Sequence, residues 1–313
     1  MENSRRMLVR MVKEICVEND IETASFSYDW IFRLTKNNKS AHIFGYQFEK
    51  SSATAHLICS DKCSTSDILQ FNNIPAVEHF FFMTPIDIKY VGVNGNWKKI
   101  INLLDKYGVL VCKSNEGSGG GSVYRVTNQF ELENAAHKIY SHSRGMAVCP
   151  FYEIENEYRV IVLDAEVRLV YEKVLPALIG DGTSTVRDLL MLHAQNNPGF
   201  SFNKLDLPEG SEQLVLPNNK RHPIIWKHNL GQGASPAEVR DKNLCKLLEN
   251  LALKAARAIN INFASVDIVR IGSELAILEV NSGVMMESFS QTSTENYEIA
   301  KTIYKSAIES MLS

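Results

Sequence analysis

Ala264-Ser265-Val266-Asp267-Ile268-Val269 and Ala276-Ile277-Leu278-Glu279-Val280-Asn281 are the stretches that decide the fold. They read as two short apolar strands joined by the polar turn Arg270-Ile271-Gly272-Ser273-Glu274, with β-branched residues on both sides, which predicts a hairpin. Glu279 and Asn281 lie two apart, so on a strand of period two their side chains leave one face, and Asp267 can meet them from the neighbouring strand. Two carboxylates and an amide oxygen make an all-oxygen cluster, which suits magnesium keeping open positions for water and phosphate oxygens. A half-buried hairpin with a wet face gives the same alternation, and these residues alone leave both readings open.

At 313 residues, 45% of them hydrophobic, the chain can bury a sizeable core and divide into two or three lobes. Its formal net charge of -3 gives no electrostatic case for nucleic acid or an anionic membrane surface as a main partner. No apolar run approaches a membrane span, and the first six residues do not open a signal peptide, so a cytoplasmic protein is expected. Cys16, Cys59, Cys63, Cys112, Cys149 and Cys245 contain no Cys-x-x-Cys pair and read as reduced, mostly buried thiols.

Working outward, Gly108-Val109-Leu110-Val111-Cys112-Lys113 is a strand, followed at once by Ser114-Asn115-Glu116-Gly117-Ser118-Gly119-Gly120-Gly121-Ser122 and a second strand over 123–126. A glycine-rich loop between strands can lay backbone NH groups against phosphates with little side chain in the way. It matches neither the Walker loop nor Gly-x-Gly-x-x-Gly. A lysine ending an otherwise apolar strand wants an anionic partner if buried, which favours phosphate binding over a flexible hairpin tip.

Upstream, helical spacing over residues 8–16 and extended segments over 21–27, 30–34 and 41–46 make a small mixed lobe, in which Tyr28, Asp29 and Trp30 read as a turn with one buried aromatic. Ser60-Asp61-Lys62 precedes a helix over 64–71 that stops ahead of Pro75; Lys62 near a helix start can meet a phosphate, and a merely solvated lysine is the plain alternative. Further helices are expected over 96–106 and 129–140. Cys149-Pro150-Phe151-Tyr152 then suits a crossing between lobes that offers backbone groups to a purine, with Glu157 accepting ribose hydroxyls; a solvated acidic loop is the plain alternative.

Strands over 160–163 and 167–170 follow, then a turn and helix cap at 179–186 with a helix to Leu192. Residues 196–223 hold four prolines and read as a long irregular segment. Lys227-His228 stands beside a glycine-containing turn, with His228 read as a surface histidine, and no Ser/His/Asp or Cys/His arrangement stands out. Leu244, Leu247, Leu248, Leu251, Ala255 and Ile259 mark one amphipathic helix, and residues 299–311 another.

In their order and spacing, Asp61-Lys62, Lys113 with its glycine loop, the crossing with Glu157, and Asp267 with Glu279-Val280-Asn281 resemble the ATP-grasp superfamily of carboxylate-amine ligases, over Asp61 to the C-terminus. Ile179-Gly180-Asp181-Gly182-Thr183-Ser184-Thr185-Val186-Arg187-Asp188-Leu189 is similar to the corresponding stretch of cyanophycin synthetases and bifunctional glutathione synthetases. The resemblance implies an α+β ATP-grasp fold: two α+β lobes clasping ATP, after a small α/β N-terminal lobe. The expected division is 1–92 for the N-terminal lobe, 93–150 for the central lobe with the glycine loop, and 151–313 for the C-terminal lobe with the metal site.

The same resemblance implies that Lys62 and Lys113 hold the ATP phosphates, that Ser118, Gly119, Gly120, Gly121 and Ser122 close over them, and that Cys149, Phe151, Tyr152 and Glu157 line the nucleotide pocket. Asp267, Glu279 and Asn281 would bind two magnesium ions, with manganese as a substitute. A carboxylate would take the γ-phosphoryl group as an acyl phosphate and an amine would convert it to an amide, with Arg159 and Lys227 steadying the intermediate. Many D-alanine-D-alanine ligase-like members carry arginine two positions before the metal aspartate, where this chain has Ser265, and Val284-Met285 replaces a common proline-glycine. The expected protein is a stand-alone ligase acting on an amino acid or peptide, with no nucleic-acid or membrane partner; its oligomeric state is left open, a homodimer being one option because dimers are common among the relatives it resembles. A nucleotide-binding regulatory module without turnover and a peptide-tailoring ligase forming ester or amide crosslinks are the alternatives.

Overall fold

In the computed structural model of the chain, residues 6–117, 122–196, 205, 207 and 210–313 are described, 93 and 94 by backbone alone. The chain forms two compact units, Met1–Tyr171 with Val239–Ser313, and Glu172–Glu238.

The first unit opens with α1 (Met7–Glu18), whose residues Leu8, Met11, Val12, Ile15 and Cys16 fall on one buried stripe as their spacing dictates. β1 (Glu22–Phe26), β2 (Ile31–Lys36), β3 (Lys39–Phe44) and β4 (Gln47–Phe48) make an antiparallel meander in chain order. The β1–β2 turn takes Ser27, Tyr28 and Asp29 through positive φ. The buried aromatic expected there is not found: Tyr28 stands fully in solvent and Trp30 is exposed, with the Arg6 guanidinium 4.6 Å above its ring.

Next come α2 (Ala53–Ser60), which periodicity had not revealed, and α3 (Lys62–Phe71). The single residue between them, Asp61, ends one helix and caps the next, its side chain accepting from Ser64 N at 2.7 Å. β5 (Phe80–Met83), α4 (Trp97–Tyr107), β6 (Leu110–Ser114), β7 (Val123–Val126), α5 (Gln129–Tyr140) and β8 (Gly145–Pro150) build the central lobe. Its sheet runs β5-β8-β6-β7, with β5–β8, β6–β8 and β6–β7 antiparallel. One face packs Phe82, Leu110, Cys112 and Val148 against Ile100 and Leu104 of α4 and Leu132 and Ile139 of α5. Alternation therefore turns Val111, Lys113, Ala147 and Cys149 to the opposite face.

β9 (Asn156–Leu163) and β10 (Glu166–Val174) follow through the positive-φ pair Asp164-Ala165. The second unit holds β11 (Ala177–Ile179), α6 (Val186–Asn196), β12 (Arg221–Pro223) and β13 (Ser235–Glu238). Its core is Leu178, Val186, Leu190, Leu216 and Ile224. Part of the proline-rich segment is thus ordered into β12, which pairs antiparallel with β11.

The first unit resumes with α7 (Lys242–Ile259), β14 (Phe263–Ile271), β15 (Glu274–Asn281), α8 (Glu287–Ser290) and α9 (Thr294–Leu312). α7 buries Leu248, Ala252, Ala255, Ala256 and Ile259, while Leu247 stays exposed. β9, β14 and β15 lie side by side, each pair antiparallel, and one face of them packs on α2, α3 and α7 through Val160, Val266, Ile268, Ile277 and Val280. The other face is left for chemistry.

Candidate functional site

The hairpin register puts Asp267 opposite Glu279 and Ser265 opposite Asn281, so these side chains share one face. Ile268 then pairs with Ile277, leaving Leu278 as an extra residue. This bulge has a physical cause. Ile277 and Val280 are both buried in the core although three apart, and only an inserted residue lets both turn inward while Glu279 and Asn281 turn out.

On its other side Asp267 lies opposite Arg159 of β9, and the two form a bidentate pair: Nε to Oδ1 and Nη2 to Oδ2, each 2.8 Å. Asp267 is 4% exposed. Burial alone would lower the Arg159 guanidinium, yet Asp267, Tyr171 and Glu157 around it hold it well above its ordinary value. Glu157, buried and two residues before Arg159, shares that face.

Lys113 comes to the same place from the central sheet. It is 5% exposed, and its ammonium donates to Glu279 Oε1 at 3.4 Å, so the buried strand-end lysine has the anionic partner its burial demands. Lys62, on the first turn of α3, donates through Nζ to Gly117 O at 2.8 Å. Burial lowers its ammonium below the ordinary lysine value, opposed by Glu279 and reinforced by Lys113. A small open cleft is lined by Cys59, Lys62, Thr65, Gly117, Glu279 and Asn281 among others.

Two residues of this site carried no signal of their own in the sequence. Asn115, 1% exposed, straps the glycine-loop strand to the start of α3: its Oδ1 accepts from Cys63 N at 3.2 Å, its Nδ2 donates to Asp61 Oδ2 at 2.6 Å, and its carbonyl accepts from Lys62 N at 3.1 Å. Its place two residues beyond Lys113, before the glycines, was the only hint. His79, 4% exposed just before β5, was not singled out at all.

The remaining expected residues are distributed as follows. Cys149 is buried on the Lys113 face of the central sheet, and burial pushes its thiol up. Phe151 donates through its backbone N to Val109 O at 3.0 Å and lies under the Arg125 guanidinium, 4.4 Å away. The phenol of Tyr152 is raised, first by burial. Ser122 Oγ is 3.0 Å from His142 Nε2, whereas Ser118, Gly119, Gly120 and Gly121 lie outside the described residues. Lys227 belongs to the second unit, its Nζ 5.3 Å from the Trp226 ring. His228, expected at the surface, is buried there, with Nδ1 2.8 Å from Lys173 O. In the polar loop 181–185 Asp181 accepts from Thr183 N and Ser184 N at 2.9 and 2.7 Å, and Gly182 N donates to Leu216 O at 3.0 Å.

The donor set of the hairpin face is oxygen only, and among the described residues no three His, Cys, Asp or Glu side chains gather as metal ligands. Two carboxylates and an amide fit a hard cation that takes its other ligands from phosphate or water, and they do not fit zinc. Both carboxylates meet a cationic side chain, so a divalent ion would compete with Arg159 and Lys113 for them. All six cysteines are free, five of them buried, as expected. Among the described residues no helix is long and apolar enough to cross a membrane.

Residues 225–306 match the family described as the RimK-like ATP-grasp domain. The chain is 23% identical over 265 residues to the glutathione biosynthesis bifunctional protein GshAB of Clostridium perfringens (strain 13 / Type A), covering 77% of this chain and 32% of that protein. It thus spans about a third of that relative's length. Among solved structures it is similar to D-alanine–D-alanine ligase from Bacillus anthracis, with a TM-score of 0.56 at 17% identity over 85% of this chain and 71% of the other. D-alanyl-alanine synthetase A from Vibrio cholerae O1 biovar eltor str. N16961 superposes with a TM-score of 0.60 at 11% identity, covering 98% and 94%. The antiparallel sheets with helices on one face agree with these likenesses: the chain has the α+β ATP-grasp fold, and its residues 225–306 match a RimK-like ATP-grasp domain.

Proposed function

We propose that this protein is an ATP-dependent carboxylate-amine ligase that joins an amino acid or peptide carboxylate to an amine, releasing ADP and phosphate. The observation that carries the reading is a cleft at which Lys62 and Gly117 meet Glu279 and Asn281, with a second lysine, Lys113, reaching the same Glu279. Cations and hard oxygen donors at one opening are what a magnesium-bound triphosphate needs, and phosphoryl transfer asks the protein chiefly to position and neutralise charge.

In this reading Lys62 and Lys113 bind the phosphates, Ser118 to Ser122 cover them, and Cys149, Phe151, Tyr152 and Glu157 receive the nucleoside. Asp267, Glu279 and Asn281 hold magnesium, two ions in all, which supplies Lewis-acid stabilisation of the transferring phosphoryl group. Arg159, fixed by its fork on Asp267, presents a permanent cation on the same face to the acyl phosphate, taking the place of the arginine that Ser265 lacks. Lys227 is the second candidate for that task. The central lobe of this reading takes in β5, which pairs with β8, and so begins ahead of the expected residue 93; the protein works in the cytoplasm.

Incubation with ATP, magnesium and pooled amino acids or dipeptides is expected to release ADP and phosphate in response to one pool. Tight ATP binding without release in any pool would contradict the ligase and favour a regulatory nucleotide-binding module.

A further inference from the structure

His79 occupies the sheet face that carries Lys113. The β5–β8 register pairs Phe81 with Ala147, and alternation carried back from Phe81 sets His79 level with Cys149, whose β6 partner is Val111. Ala147, opposite Lys113, and Cys149, diagonal to it, are small, so the lysine stem can lie across β8 toward the imidazole.

The ring is fixed on one side only. His79 Nδ1 lies 2.9 Å from Val77 O, an acceptor, so Nδ1 carries the hydrogen and Nε2 is left as a lone pair. The backbone is held as well: His79 N donates to Ser66 Oγ at 3.3 Å, and Ser66 Oγ donates to Val77 O at 3.0 Å. Among the described residues Nε2 meets no donor, although the side chain is almost wholly buried. Burial first, then the charge of Lys113, keeps the ring neutral. The Lys113 ammonium, near enough for its charge to bear on the ring, has three hydrogens to give and one long contact, 3.4 Å, to Glu279. A buried acceptor without a donor and a buried ammonium with hydrogens to spare are complementary.

We propose that His79 is a positioning residue for Lys113: its Nε2 accepts from the ammonium and holds it on the phosphates when Glu279 turns to the metal. The inference rests on Lys113 being the phosphate lysine. A neutral imidazole suits the task better than a carboxylate, because it orients the ammonium without cancelling the charge that the phosphates need.

The test combines magnesium-ATP titration of wild type, His79→Leu, His79→Gln and Lys113→Met with nitrogen-15 spectra of the His79 ring. His79→Leu is expected to weaken magnesium-ATP binding about tenfold, and His79→Gln, which keeps an acceptor, to recover most of that loss. The Nε2 resonance of His79 is expected to move in Lys113→Met, a readout independent of turnover and of whether the leucine variant folds. Wild-type affinity in His79→Leu, or an unmoved Nε2 resonance in Lys113→Met, would overturn the proposal while Lys113 dependence of binding stands. Equal binding by wild type and Lys113→Met would instead overturn the phosphate role of Lys113, and the proposal with it.

Discussion

Arg159 grips Asp267 straight across the β9–β14 pair through two parallel hydrogen bonds of 2.8 Å. The carboxylate proposed as a metal ligand is therefore already paired with the guanidinium proposed to face the acyl phosphate. Removing one partner of a buried pair leaves an uncompensated charge. Arg159→Met is expected to lower stability by about 3 kcal/mol in urea unfolding. Arg159→Lys keeps the charge but loses the fork, so it should regain part of that stability and little of the turnover.

Glu279→Gln preserves shape and removes the charge that meets Lys113. Because Glu279 is only half-buried at the cleft, the fold should hold, with a melting temperature close to wild type. Turnover should fall by at least about a thousandfold, as expected when an electrostatic element of phosphoryl transfer is lost. Near-normal activity in this variant would sink the metal assignment.

Among the described glycines of the second unit Gly180 is the tightest. A β-carbon there would sit 2.1 Å from Pro217 O and 2.7 Å from Leu216 Cβ, both parts of the strap that packs on its small core. Gly180→Ala should destabilise by about 2 kcal/mol. Hydrogen exchange should localise the loosening to residues 177–224, with protection in β14 and β15 unchanged.

The buried imidazole of His79 has a pH consequence. Its folded value lies well below the ordinary 6.5, first through burial and then through Lys113, so the unfolded chain binds the proton more readily. The stability this contributes is present above pH 6.5 and is lost as the pH falls below it toward the folded value. His56, also lowered by burial, adds a slope of the same sign. Denaturation midpoints between about pH 7 and 5 should therefore decline less steeply in His79→Gln than in wild type.

Much of the fold was legible because its signals are local. The stripe of α1 and the hairpin of β14 and β15 each follow from spacing alone, and so did the shared face of Asp267, Glu279 and Asn281. What escaped depends on contacts distant in sequence. α2 has a weak apolar stripe and buries only Ala55 and Cys59, against residues far along the chain. Trp30 looked like a core aromatic, yet Arg6, more than twenty residues away, lies over its ring at the surface. The pairing of Arg159 with Asp267 and the strap made by Asn115 arise from register and topology, which no window of sequence encodes.

The most direct test of the central claim is to follow oxygen from a substrate carboxylate. With the responsive amino acid or dipeptide pool labelled with oxygen-18 in its carboxyl groups, an acyl-phosphate route should place one heavy oxygen in each phosphate released alongside ADP. Unlabelled phosphate released with ADP would mean that water, and not a carboxylate, takes the γ-phosphoryl group, and would contradict the ligase.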